Sequence, residues 1–170
     1  MANFETALAL VLRHEDPKLS GVVTKDSGGR TRFGIAERAH PQLGDAFYRD
    51  TNENALEIAR EVYWSDYWNA IQGDEIADQQ VAGKLLDMAV NMGVRQAAVL
   101  CQRAASAVLA IRVVEDGVVG AKTIAAINRC EPQSLVDHLR GASAGFYRHI
   151  ANVRPGAAQY LRGWLVRAEA

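Results

Sequence analysis

Apolar residues recur at the helical period along nearly the whole of this chain, and the pattern breaks once, between Pro17 and Ile35. A chain patterned this way is read as mainly helical with one small β element. The first helix is the clearest case. Phe4, Ala7, Leu8, Val11 and Leu12 follow the i, i+3, i+4, i+7, i+8 spacing of a helix packed on a core. At about 100° per residue, Glu15 returns to nearly the same angle as Phe4, so its carboxyl emerges where the buried face ends. Pro17 then stops the helix.

In the break itself, Val22-Val23-Thr24 and Thr31-Arg32-Phe33 are short β-branched pieces on either side of Lys25-Asp26-Ser27-Gly28-Gly29-Arg30. This reads as a hairpin over about residues 18–36, with two glycines permitting positive φ at its turn. Asp26 falls at the turn and Thr31 on the return strand, both able to face Glu15 across a groove. A carboxylic acid held among apolar groups resists ionisation and can serve as a proton donor near neutral pH, which makes Glu15 the candidate general acid. Breaking an acetal between sugars also needs a second group to orient water or stabilise an oxocarbenium-like transition state. Asp26 fits that role, and Thr31 is suited to hold the water. Taken singly, a glutamate at a helix end is usually just solvated and Asp-Ser-Gly-Gly usually just a turn. Their conjunction with the apolar stripe and the proline is more specific than any one part.

Together these residues resemble glycoside hydrolase family 108, lysozyme-like muramidases found as phage endolysins or secretion activators, and the match runs nearly end to end. The strongest part is Asp26-Ser27-Gly28-Gly29-Arg30-Thr31-Arg32-Phe33-Gly34-Ile35, similar to the family's Asp-x-Gly-Gly-x-Thr-x-x-Gly-Ile after a catalytic glutamate. Tyr63-Trp64-Ser65-Asp66-Tyr67-Trp68 looks like its Tyr-x-x-x-Tyr-Trp element, and Asp87-Met88-Ala89-Val90-Asn91-Met92-Gly93 like its Asp-x-x-Val-Asn-x-Gly helix. Asp116-Gly117-Val118-Val119-Gly120-Ala121-Lys122-Thr123 is similar to the signature of its C-terminal peptidoglycan-binding region, and Gly163-Trp164-Leu165-Val166-Arg167 to its closing Gly-Trp-x-x-Arg.

More distantly, the order Glu15, Asp26, Thr31 is similar to that of the phage-type lysozymes, where the threonine and aspartate position the attacking water. The resemblance implies a mainly α, lysozyme-like fold with a small β-hairpin lobe. It also implies cleavage of the β-1,4 bond between N-acetylmuramic acid and N-acetylglucosamine in bacterial peptidoglycan, with no cofactor. The expected role is that of a phage or prophage endolysin released by a holin or an export system. In one place the chain departs from the pattern, with Asp16-Pro17 where the family usually has Gly-Gly. That makes Asp16 a rival carboxylate, and it motivates an alternative: a wall-binding or secretion-assisting module without catalysis. Glu15 is favoured because Asp16 falls off the apolar stripe.

Composition fits one ordinary or tightly two-lobed domain, with 170 residues and 49% hydrophobic content. The organisation expected is a catalytic region over residues 1–93 and a helical peptidoglycan-binding-like region over residues 94–170, packed as one compact unit and monomeric. Neither a secretory signal nor a membrane span is evident, so the protein is expected in the cytoplasm until release, to act in the periplasm or wall without stable membrane insertion. A net charge of −1 gives no bulk attraction to nucleic acid, which is not an expected partner. The last quarter is locally basic, through Arg140, Arg148, Arg154, Arg162 and Arg167. Solvated helix faces explain that run, and steering toward acidic wall polymer is the sharper reading. Cys101 and Cys130 have no short spacing and read as buried free thiols, and the four scattered histidines supply no metal site.

Further helices are expected through Ala55 to Val62 with Thr51 or Asn52 as cap, from about Ile76 to Met92, Gln96 to Ile111, Ala121 to Asn128, Pro132 to Ile150 and Gly156 to Ala168. Pairing at i, i+4 sets Tyr63 beside Tyr67 and Trp64 beside Trp68 on adjacent strips. One strip packs inward, and the other is a candidate to line the groove, where flat rings stack on sugars. Tyr63, Tyr67 and Trp68 are therefore the candidate substrate contacts, with Asn91 as a partner for an acetamido group.

Overall fold

The computed structural model describes residues 1–16, 18–26, 29–49 and 54–170, and of Asp26 the backbone alone. The stop at Pro17, the turn at Ser27-Gly28 and the cap at Thr51 or Asn52 lie outside the described residues. The first helix, α1 (Phe4–Glu15), starts where the Asn3 carboxamide accepts the Thr6 N–H at 3.0 Å, and its five expected apolar residues are all buried. A three-stranded antiparallel sheet follows, formed by β1 (Thr24–Asp26), β2 (Gly29–Arg32) and β3 (Ile35–Ala36) in chain order. The hairpin is present, one strand larger than expected. Its register pairs Asp26 with Gly29, Thr24 with Thr31 and Thr31 with Ala36. Arg30 clamps the sheet to the short helix α2 (Gly44–Phe47) through Glu37 and Asp45. The Arg30 guanidinium is the main reason the Glu37 carboxyl is held down at about 2.

Helix α3 (Ala55–Val62) runs directly into a π-wound stretch, Tyr63–Trp68, in which the Asn69 N–H reaches back five residues to the Trp64 carbonyl at 2.9 Å. The remaining helices are α4 (Gln79–Met92), α5 (Val94–Leu109), α6 (Ala121–Ile127), α7 (Pro132–Val153) and α8 (Leu161–Glu169). The Asp78 side chain caps α4 by accepting the N–H groups of Gln80 and Val81, and every residue from Val81 to Ala89 is buried. A helix covered on all sides is the axis of the fold. It packs against α1, α5 and α7, so one hydrophobic core runs through both halves of the chain.

The turn at Asp116-Gly117 is organised from α5 by the fully buried Gln102, which accepts the Gly117 N–H and donates to Asp116, Val118 and Thr123. No side chain caps the α6 that follows. Cys101 and Cys130 are free buried thiols, and burial pushes the Cys101 thiol up to about 12.

At the end of α1, Asp16 serves the loop. Its carboxylate accepts the Gly21 N–H at 2.7 Å and the Ser20 hydroxyl at 3.1 Å. Gly21 has φ +59, and a Cβ there would lie 2.5 Å from the Phe33 ring, so the loop passes close over that ring only because the residue is glycine. Partial burial pushes the Asp16 carboxyl up, but the donors from Gly21, Ser20 and Lys18 outweigh it and hold it below its ordinary value. A depressed folded-state value means that the carboxylate stabilises the fold above its unfolded pKa of about 3.9 and loses that effect as pH falls through the folded value. Asp16→Asn should therefore melt below wild type at neutral pH. Thermal unfolding followed at decreasing pH should show the gap closing below about pH 4.

Candidate active site

Glu15 is the last residue of α1, and the sheet's second turn is laid against it. Gly34 (φ +77) has room for no side chain, since a Cβ there would be 2.7 Å from Glu15 Cγ and 2.7 Å from the Tyr63 hydroxyl oxygen. That hydroxyl donates to the Phe33 carbonyl at 2.8 Å, so Tyr63 pins the turn that presses on the acid. Burial, followed by the charge of Glu15, holds the Tyr63 phenol well above its ordinary value and keeps it a neutral donor. The Glu15 side chain keeps 21% of its surface exposed.

Its polar partner comes from the other end of the chain. Arg167 on α8 donates from Nη1 to Glu15 Oε1 at 2.6 Å and from Nε to Asp87 Oδ1 at 2.8 Å. One guanidinium thus bridges α1 and α4. Burial opposes its charge, but Asp87 and Glu15 together outweigh burial and hold its pKa above the ordinary value. The third nitrogen, Nη2, is buried with no hydrogen-bond partner among the described residues. Helix α8 is itself anchored by Lys84, whose ammonium donates to the Arg167 and Ala168 carbonyls at 2.9 and 2.8 Å, and by Arg140, which donates to the main-chain oxygen of Ala170.

Of the residues expected at the groove, Tyr63 is buried behind Glu15, while Tyr67 is half-buried with its ring 5.8 Å from that of Tyr63. The charge of Glu15 acts on the Tyr67 phenol as well. Trp68 is a correction. It is fully buried, packs on Phe4 and donates its indole N–H to Asp74, so it is a core residue and not a substrate contact. The π winding is the cause: it sets Tyr63 and Trp68, five residues apart, on the inward side, and Trp64 is left 38% exposed. Asn91 donates to the Tyr147 hydroxyl at 2.6 Å. Thr31 is half-buried on β2, three residues before Gly34. The Asp26 side chain lies outside what is described.

Arg167, Asp87 and Tyr147 were not singled out from the sequence as site residues. Asp87 carried a signal, as the first residue of the Asp-x-x-Val-Asn-x-Gly pattern. Arg167 carried one as the arginine of the Gly-Trp-x-x-Arg pattern, but its partner is 152 positions away and no local period connects them. The expectation of purely apolar company for Glu15 changes for the same reason: the structure sets a guanidinium on it.

A surface recess of about 600 Å³ lies elsewhere, around Ala2, Glu5, Glu57, Glu61, Trp64 and Asp74. It sits at the opposite end of α1, about 16 Å along the axis from Glu15. Four carboxylates line it, which suits an anionic wall polymer poorly. Among the described residues no group of three His, Cys, Asp or Glu side chains converges as a metal site, and no helix is long and apolar enough to cross a membrane.

A buried ion bridge at the end of a helix, closed by a glycine turn, is also where two family models meet. The model described as Glycosyl hydrolase 108 matches residues 9–93, and one described as Predicted Peptidoglycan domain matches residues 96–169. No curated protein matches the chain. Among solved structures, that of Brucella abortus SagA is similar at 25% identity, with a TM-score of 0.71, covering 98% of this chain and 89% of that one. The fold is therefore mainly α and lysozyme-like, and the chemistry that of a glycoside hydrolase directed at peptidoglycan. With its first matched region spanning half the sequence and carrying Glu15, the chain belongs to the Glycosyl hydrolase 108 family.

Proposed function

We propose that this protein is an N-acetylmuramidase that cleaves the β-1,4 bond between N-acetylmuramic acid and N-acetylglucosamine, with Glu15 as the general acid. The observation that carries the reading is the placement of Glu15: a single carboxyl at the end of a buried stripe, pressed by Gly34, backed by Tyr63 and held on one oxygen by Arg167. The second oxygen, Oε2, has no hydrogen-bond partner among the described residues and is the one free to meet a glycosidic oxygen. In this reading Asp26, with Thr31, positions or activates the water, which attacks by direct displacement and gives the inverted anomer. The regions matched as hydrolase and as peptidoglycan domain act as one monomeric unit. Its biological setting is that of a phage or prophage endolysin, held in the cytoplasm until a holin or an export system releases it to the wall.

A module that only binds wall or assists secretion was suggested by Asp16-Pro17 after Glu15. Asp16 is engaged by the loop through Ser20 and Gly21, so that departure carries no argument against Glu15 as the acid.

Turbidity of purified sacculi tests the central claim. Wild type should clear them, Glu15→Gln should be slower by roughly 10²- to 10⁴-fold, and mass analysis should find muramic acid at the reducing ends. Equal clearing by both proteins, or reducing-end glucosamine, would contradict the assignment.

Gly34→Ala inserts a methyl group where Glu15 Cγ and the Tyr63 hydroxyl already lie, at a backbone conformation that disfavours it. Activity should drop by roughly 10²-fold, as expected for an acid displaced by about 1 Å, and circular dichroism should report an unchanged helical content.

Arg167→Ala leaves Asp87, whose side chain is only 9% exposed, without its cation. Removing one member of a buried pair costs about 3–5 kcal/mol, so urea unfolding should shift by that much. Clearing of sacculi should fall with it, and Arg167→Lys should recover part of both.

A further inference from the structure

Beside the acid, α4, α7 and α8 enclose a recess of about 170 Å³, lined by Asn91, Phe146, Tyr147, Ile150, Arg154 and Trp164 among others. Its position follows from helical spacing. Asp87 and Asn91 are four residues apart on α4, and Trp164 and Arg167 three apart on α8, so each pair shares a face. The recess thus lies about one helical turn, about 5.4 Å, along from the Glu15–Arg167–Asp87 bridge. That is roughly one sugar ring away. Tyr147 joins the two places: its hydroxyl accepts from Asn91, and the charges of Asp87, Arg167 and Glu15 all act on its phenol.

Three features of the recess constrain its occupant. On its wall the half-buried Trp164 ring is stacked at 5.5 Å on Tyr147, itself only 3% exposed, and Tyr160, 57% exposed, lies 5.8 Å from Trp164 beside the recess. Such a surface suits the apolar face of a pyranose. At its side, the Asn91–Tyr147 hydrogen bond leaves the Asn91 carbonyl oxygen and the Tyr147 hydroxyl proton to serve an amide. At its rim, Arg154 is exposed at the end of α7 and makes no ion pair among the described residues. An N-acetylated sugar that also carries a carboxylate satisfies all three.

We propose that this recess binds the muramyl residue beside the scissile bond, its acetamido group on Asn91 and Tyr147, its ring against Trp164, and a carboxylate of its peptide substituent on Arg154. The assignment rests on the muramidase reading for the identity of the polymer, and it makes the enzyme selective for peptide-bearing wall over neutral glycan.

Equilibrium calorimetry with two probes of equal length tests it: the N-acetylglucosaminyl–N-acetylmuramyl disaccharide carrying its stem peptide, and neutral diacetylchitobiose. Neither contains the bond a muramidase cuts, so binding is read apart from turnover. Arg154→Glu should weaken the peptide-bearing probe roughly tenfold, as loss of a charge-assisted contact does, and leave chitobiose unchanged. Trp164→Leu should weaken both; should it fail to fold by thermal melting, the Arg154 arm decides alone. An unchanged affinity of Arg154→Glu for the peptide-bearing probe, equal losses for both probes, or no binding of either by wild type would overturn the proposal. Clearing of sacculi by wild type but not by Glu15→Gln reports on the muramidase reading separately, since it does not depend on Arg154.

Discussion

Two carboxylates and one guanidinium meet where α1, α4 and α8 come together, and the geometry of the site depends on that meeting. Arg167 is 12% exposed, so its charge is largely removed from water and has to be balanced by near neighbours. Asp87 and Glu15 balance it at 2.8 and 2.6 Å, each through one hydrogen bond to a different nitrogen. The planar fork fixes direction as well as distance, which a lysine ammonium would not do. A glutamate at a helix end would otherwise swing through several rotamers. Here it is held from one side by a cation and from the other by a glycine turn that leaves its methylenes no slack.

The scaffold around the bridge is arranged to keep α8 in place. Lys84 is buried, and burial pushes its ammonium down while Asp87 pulls it up, with the net direction downward. The two carbonyls it caps are those of Arg167 itself and Ala168, so the same lysine satisfies a helix end and sets the height of the guanidinium above α4. The stretches matched by the two family models share more than a boundary: the core is continuous across it, and the candidate acid in one is held by α8 of the other.

Much of this was legible in the chain. The stripe from Phe4 to Leu12 gave α1 and brought Glu15 to its end, and the β-branched pieces with Gly29 gave the hairpin. What could not be read were the features that depend on contacts far apart in sequence or on a change of helical winding. Trp64 and Trp68 share a strip on an ideal α-helix, and only the π stretch separates them into a surface ring and a core ring. The Gly-Trp-x-x-Arg pattern sets Arg167 apart from Arg162, but nothing near it in sequence says that it reaches Glu15. Asn91 stands out in sequence for its amide, but its partner, Tyr147 on α7, is a residue that periodicity marks only as apolar filling.

The span of the bridge has a consequence for biosynthesis. After Glu15 is made, 152 further residues must follow before Arg167 can reach it. Loop closure over that distance comes after the local helices have formed, so the acid is fixed among the last events of folding. A nascent or truncated chain lacking α8 carries the acid without its clamp. A site completed only when α8 docks keeps that geometry out of reach of any chain cut short before Arg167.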